Sequence, residues 1–259
     1  MLLKTKILKA VLPPVIFDLL RSVFGRKIPF YKAYQVAVRG KNGVEIGGPS
    51  AVFKTILPLY QVANRLDGVN FSNETIWEGA LRPGGEYNFY KNKEGVQYVS
   101  DAADLSGIES AAYDFLLSSN CLEHVANPLK AVSEWCRVLK PKGVFVLVLP
   151  KKESNFDHRR PISTFEHLLE DYTENVGEDD LTHLPEILQL HDLARDPHAG
   201  TLEQFKQRSL NNFNNRTLHQ HVFDMGLIEE ILEFTGFDVL QRHVTQSDFF
   251  VLGRKRGDN

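Results

Sequence analysis

Two apolar periodicities alternate along the chain, and their order predicts parallel strands covered by helices. Val44 and Ile46 flank Glu45 in a short buried-strand pattern that runs into the tight turn Gly47-Gly48-Pro49-Ser50. Phe53, Ile56, Leu57, Tyr60, Val62, Ala63 and Leu66 follow at roughly helical spacing, so residues 51–66 read as a covering helix, bent or split at Pro58. Residues 67–72 read as a turn and then a short strand, with Asp67 before that strand. Turn clusters at 82–85 and 92–95 surround Tyr87, Phe89 and Tyr90, which predicts a loop or small hairpin beside a ligand pocket. Residues 96–102, 114–117 and 144–149 read as strands. Ahead of the last of them, Ala131, Val132, Trp135, Cys136, Val138 and Leu139 give the apolar face of a helix that starts near Asn127-Pro128 and is stopped by Pro141 and Gly143.

Toward the C-terminus, residues 226–236 form an amphipathic helix pattern closed by glycine, followed by strands at 237–245 and 248–254. A long insertion precedes this unit and holds seven of the nine histidines: His158, His167, His183, His191, His198, His219 and His221. Its helical stretches, 164–172, 181–193 and 202–213, predict a lid over a substrate site. The chain therefore divides into an N-terminal helical extension (1–36), a ligand-binding core (37–150), a helical lid (151–224) and a C-terminal helix and strand pair that complete the core (225–259).

A chain of 259 residues with 42% hydrophobic content can bury one sizeable core plus an insertion, so a single domain is expected. Thirty Lys and Arg against 33 Asp and Glu, with no long basic tract, exclude a general polyanion binder, and nucleic acid is not expected as a partner. Cys121 and Cys136 lack the spacing of a disulfide framework or a zinc motif and read as reduced core thiols. Residues 1–28 differ from the rest. Lys4, Lys6, Lys9, Arg21, Arg26 and Lys27 accompany apolar positions at helical intervals, interrupted by Pro13-Pro14. This pattern fits a cap over the core, a peripheral membrane contact or a dimer contact; it is too short in apolar length to span a bilayer, and it lacks a secretory cleavage signature. A cytoplasmic protein is expected, with peripheral membrane contact as the alternative.

The glycine turn and a later block together carry a family resemblance. Gly43-Val44-Glu45-Ile46-Gly47-Gly48-Pro49-Ser50, then Tyr113-Asp114-Phe115-Leu116-Leu117-Ser118-Ser119-Asn120-Cys121-Leu122-Glu123-His124, Asn127-Pro128 and Arg137-Val138-Leu139-Lys140-Pro141-Lys142-Gly143 resemble the class I S-adenosylmethionine-dependent methyltransferases, of the methyltransferase type 11-like kind. The resemblance implies a Rossmann-like α/β fold: a seven-stranded sheet with a terminal antiparallel pair, carrying here a helical lid and an N-terminal helical segment. It implies S-adenosylmethionine as cofactor, with Glu45, Gly47 and Gly48 forming the cradle, Asp101 and Ala102 at the adenine, and Ser119 and Asn120 at the methyl opening. The sequence departs from the family twice. Pro49 interrupts the usual glycine pattern, and the acid that holds the ribose is missing, leaving Asn70 and Glu74 as candidates. The glycine spacing does not fit the dinucleotide fingerprint of an NAD-dependent oxidoreductase.

The lid is expected to carry the acceptor chemistry. Asp157 and His158 follow the last parallel strand and are candidates to take a proton from an incoming hydroxyl, with Arg159 and Arg160 to hold a carboxylate or phosphate. His219 and His221, two apart, would share a face of an extended strand and add His221 as a second candidate base. His124 is the third, or a packing residue of its turn. A divalent metal held by His219 and His221 with Asp157, His158 or His124 is the minor alternative, and no metal is assigned. Methyl transfer rests chiefly on positioning, so no fixed triad is required. The expected reaction is methylation of a small polar acceptor, on oxygen of a sugar, glycan or lipid-linked precursor. The alternatives are N- or C-methylation and a non-catalytic binding protein of the same fold. The oligomeric state is not legible.

Overall fold

A computed structural model describes residues 27–257. The elements are α1 (Tyr31–Val38), β1 (Asn42–Ile46), α2 (Ala51–Lys54), β2 (Arg65–Asn70), β3 (Glu74–Thr75), β4 (Gly79–Ala80), β5 (Glu86–Tyr90), β6 (Lys93–Val99), β7 (Tyr113–Ser119), α3 (Pro128–Val138) and β8 (Leu139–Pro150). The lid adds α4 (Phe165–Glu174), α5 (Leu184–Leu190), α6 (Leu202–Leu210) and α7 (Asn212–Asn215), and the chain closes with α8 (Met225–Phe234), β9 (Phe237–Val244) and β10 (Asp248–Lys255). The N-terminal membrane or cap reading falls almost wholly outside the described residues. Among these residues no helix is long and apolar enough to cross a membrane.

The strand order is β5-β6-β2-β1-β7-β8-β10-β9. Strands β6, β2, β1, β7 and β8 run parallel, β10 inserts antiparallel to β8, and β9 pairs antiparallel with β10. These are the seven expected strands, and the antiparallel pair closes them as expected. An eighth, β5, pairs antiparallel with β6, so part of the expected hairpin becomes a sheet edge. The signal for it was the alternation of buried Tyr87 and Phe89 with exposed Glu86 and Asn88.

Alternation along the central strands builds two cores. Val144, Val146 and Val148 of β8, with Phe115 and Leu117 of β7, face Tyr34, Phe53, Leu57 and Tyr60. Phe145, Leu147, Leu149 and Leu116 face Trp135 of α3 and Ile228 and Ile231 of α8. A smaller cluster of Leu184, Ile187, Ala199, Phe205 and Leu218 gives the lid its own interior. The lid is thus a packed unit seated on the sheet's rim.

Two sequence expectations are corrected here. The helix over 51–66 stops at Lys54. Pro58 cannot continue it, and Leu57, Leu59, Tyr60 and Ala63 are buried from a chain of turns instead. Strand β2 begins at Arg65, so Asp67 lies within it, where its carboxylate accepts from Val96 N (2.8 Å), Tyr113 OH (2.8 Å) and Arg65 Nε (3.0 Å). A strand can carry a buried aspartate when each oxygen is partnered in this way.

Candidate active site

Strand β1 has β2 on one side and β7 on the other, so the chain order reverses between β1 and β7. In open α/β sheets the crevice beyond the carboxyl ends at such a switch point binds ligand. Gly47 turns the chain there with φ 76°, and a Cβ on it would meet Cys121 Sγ at 2.9 Å. A Cβ on Gly48 would stand 2.2 Å from Glu45 Cδ and 2.3 Å from Tyr87 OH. Both positions thus require glycine, the first for its backbone conformation and the second for close approach.

Glu45 is fully buried beneath this turn. Its carboxylate accepts from Ser50 N (3.1 Å), Ser50 Oγ (2.7 Å), Tyr60 OH (2.5 Å) and Tyr87 OH (2.8 Å). Burial pushes the carboxyl above its ordinary range, opposed by these bonds. Glu45 therefore braces the cradle from below. Asn70, at the end of β2, donates to Gly48 O at 3.1 Å and is 7% exposed. Glu74 lies exposed on the small β3–β4 hairpin, its backbone N donating to Ser72 Oγ at 3.3 Å.

Asp101 lies just past β6. Its Oδ1 accepts from Ala103 N at 2.8 Å, and its Oδ2 lies 3.2 Å from the guanidinium of Arg216. Ala102 O accepts from Trp135 Nε1 at 2.9 Å. Arg216 reaches in from the lid, stacks over Phe71 at 5.4 Å and pairs with Glu178 at 2.5 Å. Ser119 is buried at the end of β7, and Asn120 turns with φ 50° while its N donates to Val148 O at 3.0 Å. Glycines, Asn70, Asp101 and Ser119 thus lie along one rim at the switch point, where open α/β sheets bind ligand.

The turn after β7 carries Glu123 and His124, and the lid's return segment 217–224 lies along it. His221 N donates to Glu123 O at 3.4 Å, and His124 Nδ1 bonds Leu218 O at 2.9 Å. His219 Nδ1 sits 2.5 Å from Asp157 Oδ2, and the ring packs edge-on to His124 at 4.6 Å. Burial would raise the Asp157 carboxyl, but His219 and Arg160 hold it below its usual range. Burial would lower His219, and Asp157 with Glu123 lifts it above the usual histidine value. Glu123 is pushed up to about 7 by burial, and His124 down to about 3 by burial and by His219. Arg160, 2% exposed, ties this cluster to Glu186 at 2.9 Å and donates to His219 O and Gln220 O.

Of the four residues expected to do acceptor chemistry, the structure brings Asp157 and His124 together around His219. It places His158 apart, with Nε2 2.8 Å from Asp192 Oδ2 on the lid. His221 turns into another pocket, where its Nε2 lies 3.1 Å from Ala126 O. The shared-face expectation for His219 and His221 is corrected, because 217–224 is irregular and the two-residue period of a strand does not apply. Sequence reading passed over Glu123 as a turn residue and did not single out Arg216, Glu178, Tyr60 or Tyr87 as polar partners. Only Glu123 had a signal, an acid next to histidine directly after a buried strand.

Comparison with known proteins places a methyltransferase domain match across this geometry. Residues 48–147 match the model of the methyltransferase domain family, spanning the glycine turn through β8. The chain has the fold of the class I S-adenosylmethionine-dependent methyltransferases. Its fold is similar to that of a SAM-dependent methyltransferase from Methanosarcina mazei, with 16% identity over 90% of this chain and 100% of that one and a TM-score of 0.50. It is also similar to an S-adenosylmethionine-dependent methyltransferase from Mesorhizobium loti, with 13% identity over 88% and 96% and a TM-score of 0.52. None of the curated proteins compared matches the sequence. The fold and the matched domain imply S-adenosylmethionine as cofactor, whose sulfonium supplies an already activated methyl group.

Proposed function

We propose that the methyltransferase alkylates a hydroxyl oxygen of a small polar acceptor, a sugar or glycan precursor, with His219 as the proton acceptor. The observation that carries this reading is the 2.5 Å contact between His219 Nδ1 and Asp157 Oδ2 beside the carboxyl end of β7. Asp157 fixes the ring and its tautomer, which leaves Nε2 for the acceptor's proton. A hydroxyl of high pKa gains most from such a base, whereas an amine needs none in its neutral form. Lys152, Asn155, Asp157 and Glu123 surround a space of about 10 Å³ beside His219, room for about one water, and the polarity of these side chains is what supports a polar acceptor. A lipid-linked precursor is the variant that the basic, apolar residues 1–28 favour.

Around the cofactor, the reading assigns Gly47 and Gly48 to backbone approach with Glu45 beneath them, and Asn70 or Glu74 to the ribose. Asp101 and Ala102 take the adenine edge, and Ser119 and Asn120 the methyl opening. The test is a mass-shift screen of candidate acceptors with labelled methyl donor, followed by kinetics. His219→Ala is expected to lower kcat roughly 10²-fold with cofactor affinity unchanged, and Asp157→Asn to follow it. Turnover indifferent to both changes, or product methylated on nitrogen, sinks the assignment.

A further inference from the structure

The lid holds a second cluster of side chains that methyl transfer does not use. His167 and Asp171 lie one turn apart on α4, His183 precedes α5, and His221 lies on the return segment. One ligand-type atom from each falls within 4.8 Å of all the others. His167 Nε2 is 3.1 Å from His183 Nε2 and 3.4 Å from Asp171 Oδ2, and His221 Nε2 is 3.6 Å from the same oxygen. A tetrahedral zinc with ligands at about 2.0–2.1 Å has ligand-to-ligand edges of roughly 3.3 Å. We propose that His167, Asp171, His183 and His221 form a binding site for a divalent cation of the zinc class, which crosslinks α4, the start of α5 and the return segment of the lid.

Hydrogen bonding alone leaves this cluster unsatisfied. When one of the facing nitrogens of His167 and His183 donates to the other, Asp171 Oδ2 is still buried without a hydrogen-bond partner, and so is His221 Nδ1. Asp171 is 7% exposed and His221 1% exposed, so water does not make up the difference cheaply. A cation accepts such lone pairs at once. The i,i+4 spacing of His167 and Asp171 places both on one helix face. Asn127 Nδ2 donates to Asp171 O at 2.8 Å, which anchors the backbone that carries this carboxylate.

Three imidazoles and one carboxylate are a nitrogen-rich set of borderline softness, suited to zinc rather than to calcium or magnesium. Four protein ligands close the coordination sphere, which makes the site structural. Glu123, His124 and His219 also lie close enough to share an ion. There, however, only three side chains converge, and His219 is already paired with the Asp157 carboxylate, so the donor set is poorer. The metal would join α4, the start of α5 and the return segment to one another, and the hydrogen bonds of His221 with Ala126 O and of Asn127 with Asp171 O carry this unit to the turn after β7.

The test uses the full chain purified without a histidine tag and dialysed against metal-free buffer. Elemental analysis is expected to find about one zinc per chain, and chelation should lower the Tm. The chelated chain refilled with Co²⁺ should show the intense visible absorption of tetrahedral cobalt. Asp171→Asn, which keeps the shape, should weaken Zn²⁺ binding at least about tenfold. His158→Ala, whose ring lies on Asp192, should keep the metal. Wild-type protein that holds no zinc and takes up no Co²⁺ overturns the proposal, as does metal lost in His124→Ala but retained in Asp171→Asn. These readouts do not require turnover, so they stand apart from the acceptor reading.

Discussion

Arg216 of the lid lies 3.2 Å from Asp101 Oδ2 at the sheet's rim, with its guanidinium over Phe71. The lid thus contacts the same carboxylate that the cofactor reading assigns to the adenine amine. With Oδ1 already capping Ala103 N, the guanidinium and an adenine amine would compete for approach to Oδ2. Arg216→Ala is therefore expected to tighten S-adenosylmethionine binding about three- to tenfold, while Asp101→Ala weakens it at least about tenfold, or 1.4 kcal/mol. Calorimetry reads both. Effects of the same sign would show that Arg216 supports the cofactor site instead of competing for it.

Glu45 and its donors make a second prediction, one about stability. Tyr87→Phe removes one hydrogen bond to a buried carboxylate and should cost about 1.5–3 kcal/mol in denaturant unfolding. Tyr60→Phe should cost a similar amount, and the double variant less than the sum, because the two hydroxyls serve the same oxygen. Gly48→Ala should be more severe, since its Cβ would fall on Glu45 and Tyr87. Tyrosine variants as stable as the parent would mean that Glu45 is neutral and self-sufficient beneath the turn.

Most of the sheet was legible, and the lid's chemistry was not, for one physical reason. Strands β7, β8 and β10 are buried on both faces, so their apolar runs announce them wherever the chain later places them. The same holds for the caps of the lid helices, where Thr164 and Thr201 accept from the backbone N three residues on. The run after Ser50 misled because Tyr60 is buried for its hydroxyl, which reaches Glu45, as well as for a helical face. His219 and His221 misled because their segment has no regular period, and only tertiary packing decides that one ring meets Asp157 and the other Asp171. Periodicity reports backbone geometry; it does not report where an irregular segment aims its side chains.

A pH effect is expected at the clasp between α3 and the loop before β7. Arg137 bonds Glu134 and reaches Leu105 O (2.8 Å) and Ile108 O (2.9 Å). The hydrogen bond from Arg137 is the main reason that the Glu134 carboxyl sits below its ordinary range. A depressed carboxyl stabilises the fold above its unfolded value of about 4.3, and that contribution is lost as pH falls through the lower folded value. The Arg137 and Glu134 side chains keep 31% and 24% of their exposure, so solvent screening limits the effect to about 1 kcal/mol. The Tm gap between the parent and Glu134→Gln should be full at pH 7 and close below about pH 4. A gap that widens on acidification contradicts this.

The last prediction concerns Arg160, the cation buried at the root of the lid. It is 2% exposed and lies 3.2 Å from Asp157 Oδ1 and 2.9 Å from Glu186 Oε1, while its other donors satisfy the carbonyls of His219 and Gln220. Sequence reading offered it to the substrate as an anion clamp, but the structure spends its donors on the protein. Arg160→Met would leave Asp157 short of a countercharge and two carbonyls without donors, which should cost about 3–5 kcal/mol. Arg160→Lys should rescue little, because an ammonium cannot span two carboxylates and two carbonyls from one position. Unfolding measurements would read the loss, and limited proteolysis would place it in residues 151–224. If Arg160→Lys were instead as stable as the parent and only weakened an anionic acceptor, Arg160 would be a substrate clamp after all, and the lid would owe its position to other contacts.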